Sequence, residues 1–436
     1  MFDKALLSLK DEMIQALCTN LRIQSDAQPP EEGKPNGPGV ARALEHALRV
    51  AAQLGFRTKE VDGHAGYAEY GEGEEMVAVL GHLDVVPAGE GWQHPPYAGI
   101  IENGRIYGRG TTDDKGPMFA ALFALKAIKD SGLPLRRRIR ILFGTSEETG
   151  SADMAYYSTH EELPVAGFTP DAKFPVINAE KGILNIWFIK EFSDLEEAAV
   201  ALNKLQCGSA LNMVPAQATA ELALHGQVIQ VKTSGVSAHA SRPESGQSAA
   251  APMLDFLSHQ DLPLTIQDAF AFLAYSLGQE TLGENLGIAM EDEVSGKLTV
   301  NLGMLEADMH QIRGGLNIRY PVTASKDLVL SKLSASLYEG GFDIESITNT
   351  PPLYVDESTE LVRILMDVFS KKTGLDLSPM STGGGTYARS LPNILAFGPQ
   401  FPEQSDLCHQ ADEYVEIPYL IKTAQIMASA MYELAK

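Results

Sequence analysis

MVAVLGHLDVVP (76–87) is the stretch from which the rest of the chain is read. Its first half is a short apolar run rich in β-branched residues, the pattern of a buried strand. It then turns polar at once, at His82 and Asp84. Moving outward, RIRILF (138–143) repeats the pattern and runs straight into GTSEETG (144–150); FPVINAE (174–180) is a further strand. Between them, Met118, Leu122, Leu125 and Ile128 fall in helical register, predicting a helix over about 116–130. Upstream, Phe2, Leu6, Leu9, Met13 and Leu17 form one stripe over 2–20. Val40, Leu44, Ala47, Leu48, Ala51 and Leu54 form another, with Gly55 as its stop. PPEEGKPNGPG (29–39) between them is a loop. Strands alternating with helices predict an α/β layer with a mostly parallel sheet. In such sheets ligands gather at the carboxyl ends of strands, where His82, Asp84, Glu147 and Glu148 fall.

The texture changes near residue 183. ILNIWFIKEF, ATAELALHGQVIQVKTSG and KLTVNLGMLEAD read as antiparallel strands, with helical stretches such as SAAAPMLDFL between them. After PPLYVD (351–356) the helix–strand alternation resumes, with ELVRILMDVFSKKTG, NILAFGP and a closing helix over about 417–435. The expected architecture is therefore a catalytic α/β domain, with a mostly parallel mixed sheet flanked by helices, interrupted by an inserted α+β domain. The expected boundaries are 1–182, 183–352 and 353–436. A chain of 436 residues exceeds what one hydrophobic core usually serves, which agrees with two domains.

The net charge of −23 argues against a nucleic-acid partner, which needs a basic face. The one dense basic run, Arg136-Arg137-Arg138, precedes an apolar strand and reads as a solvated strand entrance. Three cysteines far apart do not make a disulfide framework. The amphipathic start lacks a signal peptide's apolar core, and no run is long enough to span a membrane. A soluble, cytoplasmic protein without a membrane partner is the expectation.

Five short segments carry the candidate chemistry. His82 and Asp84 lie two apart, so on an extended backbone they point the same way, and a metal-bound histidine needs an orienting partner. Read alone, the pair is equally a polar strand end. Asp113 and Asp114, at a loop-to-helix junction, suit helix capping as well as a cation. Glu147 and Glu148 cannot aim at one spot, so one could ligate a metal while the other acts as base; an acidic turn is the plain alternative. Asp171 follows a proline, which is ordinary turn chemistry. His409 precedes the last helix, and Cys408 beside it is a bystander among oxygen and nitrogen donors. Together these supply two histidines and three carboxylates, with a spare Glu and Asp. That set meets the demand of a two-metal hydrolytic centre.

GHLDVVPAGEGW, YGRGTTDDKGP, FGTSEETG, SAHASRPESG and CHQADE, in this order and spacing, resemble the two-zinc metallopeptidases typified by glutamate carboxypeptidase, acetylornithine deacetylase, succinyl-diaminopimelate desuccinylase and aminoacylase. DDKGP, FTPDAKFPVINAEKG and NIRYP are most similar to the PepV-type dipeptidases within it. The resemblance implies two Zn2+ per chain, with Co2+ or Mn2+ as possible substitutes. His82 and Asp171 would hold one ion and Glu148 and His409 the other, with Asp113 bridging and Asp84 orienting His82. Glu147 would be the general base, acting through a zinc-bridged hydroxide on small unblocked dipeptides. A cis peptide is implied at Asp113–Asp114. The inserted domain would be a lid carrying His239 for the oxyanion, with Asn212 and Arg319 as substrate contacts and Gly384 and Gly385 offering backbone amides. An enlarged lid implies a monomer. The run GGGTYARS departs from the family, whose members often carry an acidic residue near position 387 or 388. An N-acyl amino acid deacylase or desuccinylase with the same metal site is the alternative, and a noncatalytic binding protein on the same fold is a remote one.

Overall fold

The computed structural model describes residues 2–436. The chain forms two compact units. Unit 1 comprises the residues up to Asn178, Val355–Met380 and Gly385–Lys436; unit 2 comprises Ala179–Tyr354 and Ser381–Gly384.

The centre of unit 1 is the strand Met76–His82, buried along its whole length. It pairs in parallel with Arg138–Gly144 on one side and with Ala166–Thr169 on the other. Beyond Arg138–Gly144 the sheet continues antiparallel through Ala65–Tyr70 and Arg57–Val61. Beyond Ala166–Thr169 lies Ile394–Ala396, parallel to it, and then Ile177–Glu180. The sheet is thus mixed, with a parallel centre. The register sets His82 opposite Gly144, so the two polar turns leave neighbouring strands at the same end.

Helices Lys115–Ser131 and Ile417–Ala435 pack on each other and on the central strand. The first is buried from Lys115 through Leu125 and ends at Gly132, whose φ of 64° is the left-handed stop that glycine allows. Phe119 and Phe123 are fully buried there. Truncating either to alanine costs about 3–5 kcal/mol by the usual cavity cost. Helices Asp3–Leu21, Pro38–Gln53 and Glu360–Thr373 complete the helical shell.

Unit 2 is built on a separate antiparallel sheet. Its strands run in the order Gln227–Ser234, Gln217–Leu224, Val200–Cys207, Thr299–Ala307, Gln311–Tyr320, Gly182–Glu191, Asp343–Thr350. Helices Ala250–Ser258, Leu264–Leu277 and Lys326–Glu339 contribute to one apolar core with it, including Leu254, Phe270 and Leu333.

Two expectations are corrected. The strand read over 174–180 is regular only over Ile177–Glu180, because Pro175 has no N–H to give a ladder. Arg138 is not a freely solvated strand entrance. It donates to Glu69 at 3.0 Å, to both Glu162 oxygens at 2.7 Å and to the Gly73 and Glu74 carbonyls. Glu69 is itself buried against Arg140, so the arginines there are drawn inward by a carboxylate in the sheet.

Candidate metal centre

The turns at the carboxyl ends of the parallel strands meet in unit 1. His82 ends its strand fully buried. Its Nδ1 lies 2.9 Å from the backbone carbonyl of Asp84, which accepts the ring N–H, while the Asp84 carboxylate stands farther off at 3.4 Å. The orienting role expected of the Asp84 side chain is therefore carried first by its carbonyl. The carboxylate instead accepts the backbone N–H groups of Glu147 at 3.3 Å and Glu148 at 3.1 Å. Asp84 so couples the histidine strand to the glutamate turn.

With its proton fixed on Nδ1, His82 turns the Nε2 lone pair toward carboxylates. Nε2 lies 3.0 Å from Asp113 Oδ1 and 4.0 Å from Asp171 Oδ1, and makes no hydrogen bond of acceptable geometry. Asp113 reaches the other way too: its Oδ2 lies 3.1 Å from His409 Nε2, which is 3.2 Å from Glu148 Oε1. Three groups of donor atoms result: His82 with Asp113 and Asp171; Asp113 with Glu148 and His409; and His82 with Glu147 and Glu148. Lone pairs facing lone pairs at this spacing fit cations, and the all-oxygen-and-nitrogen set suits zinc-like divalent ions. Cys408 is exposed and belongs to none of the three.

The electrostatics of the ion-free centre carry the same message. Burial works to raise Asp113, yet the adjacent His409 and His82 rings overcome it and hold the carboxyl below its usual range. Burial, then repulsion from Asp113 and Glu147, drives Asp171 well above the ordinary carboxylate value. Burial, with the charges of Glu148, Asp113 and Asp84 added and His82 opposing, pushes Glu147 up to about 7. Protons and a cation would compete for these same atoms.

The second aspartate is not a helix cap. Asp114 occupies the N-terminal position of helix Lys115–Ser131 without a side-chain capping bond. Its Oδ2 accepts the backbone N–H of His82 at 3.3 Å. The peptide joining it to Asp113 is cis. Gly81 is required beside it, since an added Cβ would collide with Asp114 Oδ2 and Met118.

Sequence reasoning missed Asp153 and Tyr387. Asp153 is buried, and its Oδ2 accepts the N–H groups of Thr145 at 2.6 Å and Ser146 at 3.0 Å, clamping the turn that carries both glutamates. The Tyr387 ring stands edge-on to His82, with centroids 5.9 Å apart.

The residues expected on the lid, Asn212, His239 and Arg319, lie in unit 2; of the glycines expected outside it, Gly384 lies in unit 2 and Gly385 in unit 1. Asn212 and His239 are exposed on adjoining segments, joined by the Ala240 N–H donating to the Asn212 carbonyl at 2.9 Å. The His239 Nδ1 accepts the Ser241 N–H at 3.2 Å and lies 2.7 Å from its hydroxyl, so the ring proton sits on Nε2. Arg319 is buried; its Nε donates to Asn317 at 2.7 Å and its Nη1 to the Gly383 carbonyl at 2.8 Å. Gly383 in turn approaches Ser241 so closely that an added Cβ would lie 3.0 Å from it. Unit 2 thus gathers His239, Arg319 and the glycine run into one neighbourhood.

A sheet with a parallel centre, and histidines and carboxylates converging at its carboxyl edge, define a metallohydrolase. Residues 78–433 match the model of peptidase family M20/M25/M40, and the chain belongs to that family. It is a metallopeptidase, a hydrolase acting on peptide bonds. It is 38% identical to the Bacillus subtilis (strain 168) protein named "Putative dipeptidase YtjP", over 98% of each chain. It is 32% identical to a Staphylococcus epidermidis protein named "Putative dipeptidase", over 100% of this chain and 99% of that one. Among solved structures it resembles human carnosine dipeptidase 1, with a TM-score of 0.63 at 14% identity, covering 99% of this chain and 98% of that one. The dipeptidase Dug1p from Saccharomyces cerevisiae gives 0.64 at 14% identity, with 99% and 97% covered. At these identities the structures speak for the fold. No described helix is long and apolar enough to cross a membrane.

Proposed function

We propose that this metallopeptidase is a dipeptidase that hydrolyses small unblocked dipeptides at a centre of two Zn2+ ions. The observation carrying this reading is the carboxylate of Asp113, with one oxygen 3.0 Å from His82 and the other 3.1 Å from His409. His82 and Asp171 would hold one ion and Glu148 and His409 the other, with Asp113 serving both; bound there, the ions would supply Lewis acidity to the attacking water and the scissile carbonyl.

Glu147 takes the proton of the attacking water and passes it to the leaving amine. Its carboxylate stands in the donor group with His82 and Glu148, within reach of a water beside the ions, which supports this role. Asp84 keeps His82 and the glutamate turn in mutual register. Asn212, His239 and Arg319 enter the proposal on their motifs and their grouping within unit 2. In this reading unit 2 is a lid, the His239 Nε2–H donates to the carbonyl oxygen as it becomes an oxyanion, and Arg319 faces the substrate carboxylate. Gly384 and Gly385 contribute backbone amides, and the chain acts as a monomer.

The test is a panel of dipeptides, tripeptides and N-acyl amino acids presented to the metal-loaded protein. Turnover confined to free dipeptides supports the proposal. Turnover of N-acetyl or N-succinyl amino acids alone replaces it with a deacylase.

A further inference from the structure

Two fully buried charges link the turn that presents Asp113 to the turn that presents His409. Arg109 is 2% exposed and Glu413 is 0% exposed. One carboxylate oxygen of Glu413 accepts the Thr112 N–H at 2.8 Å and its hydroxyl at 2.9 Å, with the Thr111 hydroxyl at 3.3 Å. The other accepts the Gly110 N–H at 3.1 Å and Arg109 Nη1 at 2.8 Å. A single side chain thereby fixes the backbone running directly into Asp113.

Arg109 returns the grip. It donates to the carbonyl of His409 at 3.3 Å and to that of Gln410 at 3.1 Å. A third bond goes to Ala88 at 3.2 Å, and the guanidinium lies 5.1 Å over the Trp92 ring. His409 needs such help: its φ is 65°, a conformation an L-residue adopts only when held, and its side chain is 53% exposed. His82, by contrast, ends a buried strand.

We propose that Arg109 and Glu413 are positioning residues, a reciprocal clasp that sets His409 against Asp113 and so fixes the affinity of the ion that His409 holds. The inference rests on the two-ion reading above. A neutral pair of similar shape would fill the space; only the fork of a guanidinium and both oxygens of a carboxylate reach six groups on the two turns and the Ala88 carbonyl besides.

The test is a titration of the apoprotein with Zn2+ against a chromophoric chelator, for wild type and Glu413→Gln. Wild type should take two ions. Glu413→Gln should keep the affinity for one within about twofold and lose about ten- to a hundredfold for the other. The visible spectrum of the protein loaded with two Co2+ should change for the weakened ion only. If Glu413→Gln fails to fold, Arg109→Lys makes the same test, since it keeps the charge but loses the fork. Unchanged affinities overturn the clasp. Both affinities falling together with the apoprotein's melting temperature also overturn it, leaving an ordinary structural ion pair. A wild-type chain that takes no zinc overturns the two-ion reading itself.

Discussion

The Tyr387 hydroxyl donates to Asp153 Oδ2 at 2.5 Å, so a residue from the last segment of unit 1 secures the turn bearing Glu147 and Glu148. Asp153 keeps its backbone donors whatever happens at position 387. Tyr387→Phe should therefore leave the fold intact, with a loss of about 1.5–3 kcal/mol, the usual worth of a bond to a charged group. Urea unfolding gives the first number, and turnover should fall as the turn loosens. Unaltered stability would show that the bond contributes nothing.

Glu147→Gln preserves size and removes the base. Zinc content should match wild type while kcat drops by about 10²–10⁴-fold, the typical worth of general acid–base catalysis. Near-normal turnover would sink the assignment.

Chelation should abolish activity, and Zn2+, Co2+ or Mn2+ should restore it. An ion bound by the native chain and not by the unfolded one stabilises it, so melting temperature should rise with added Zn2+ in proportion to the logarithm of its concentration. A melting temperature indifferent to both chelator and zinc would contradict a bound ion.

His46 predicts an acid sensitivity separate from the centre. Its ring is buried, and its Nδ1 accepts from Asn20 Nδ2 at 3.1 Å. Burial first, then the nearby charges of Arg49 and Lys115, lower its pKa from 6.5 to about 4. Between those values the unfolded chain binds the proton and the folded chain does not, so stability rises with pH there. Its contribution is full above 6.5, declines as pH falls, and is gone below about 4. Unfolding free energies across that window, for wild type and His46→Gln, should diverge in slope. Parallel curves would remove His46 from the acid limb.

Much of unit 1 was legible because its elements are long and their periodicity clean. The helix read over 116–130 is Lys115–Ser131, and the strand read from Arg138 to Phe143 runs one residue further. The candidate ligands were legible only as a set, since each read alone is equally a polar strand end, a helix cap or an acidic turn. Which atom of Asp84 orients His82 was not legible: spacing places the residue and says nothing of carbonyl against carboxylate. Asp153 was hidden for a similar reason. It sits in a short helix, and one of its partners, Tyr387, lies 234 residues away in sequence. The run Arg136-Arg137-Arg138 misled because a charge count cannot see Glu69 inside the neighbouring strand.

Unit 1 is assembled from three stretches of chain, and strand Ile394–Ala396 lies between Ala166–Thr169 and Ile177–Glu180. The order of synthesis follows from that. When Tyr354 leaves the ribosome, nearly all of unit 2 is available to fold, while the sheet of unit 1 still lacks an inner strand and His409 does not yet exist. Under the two-ion reading, the nascent chain cannot hold its second ion until His409 has been translated.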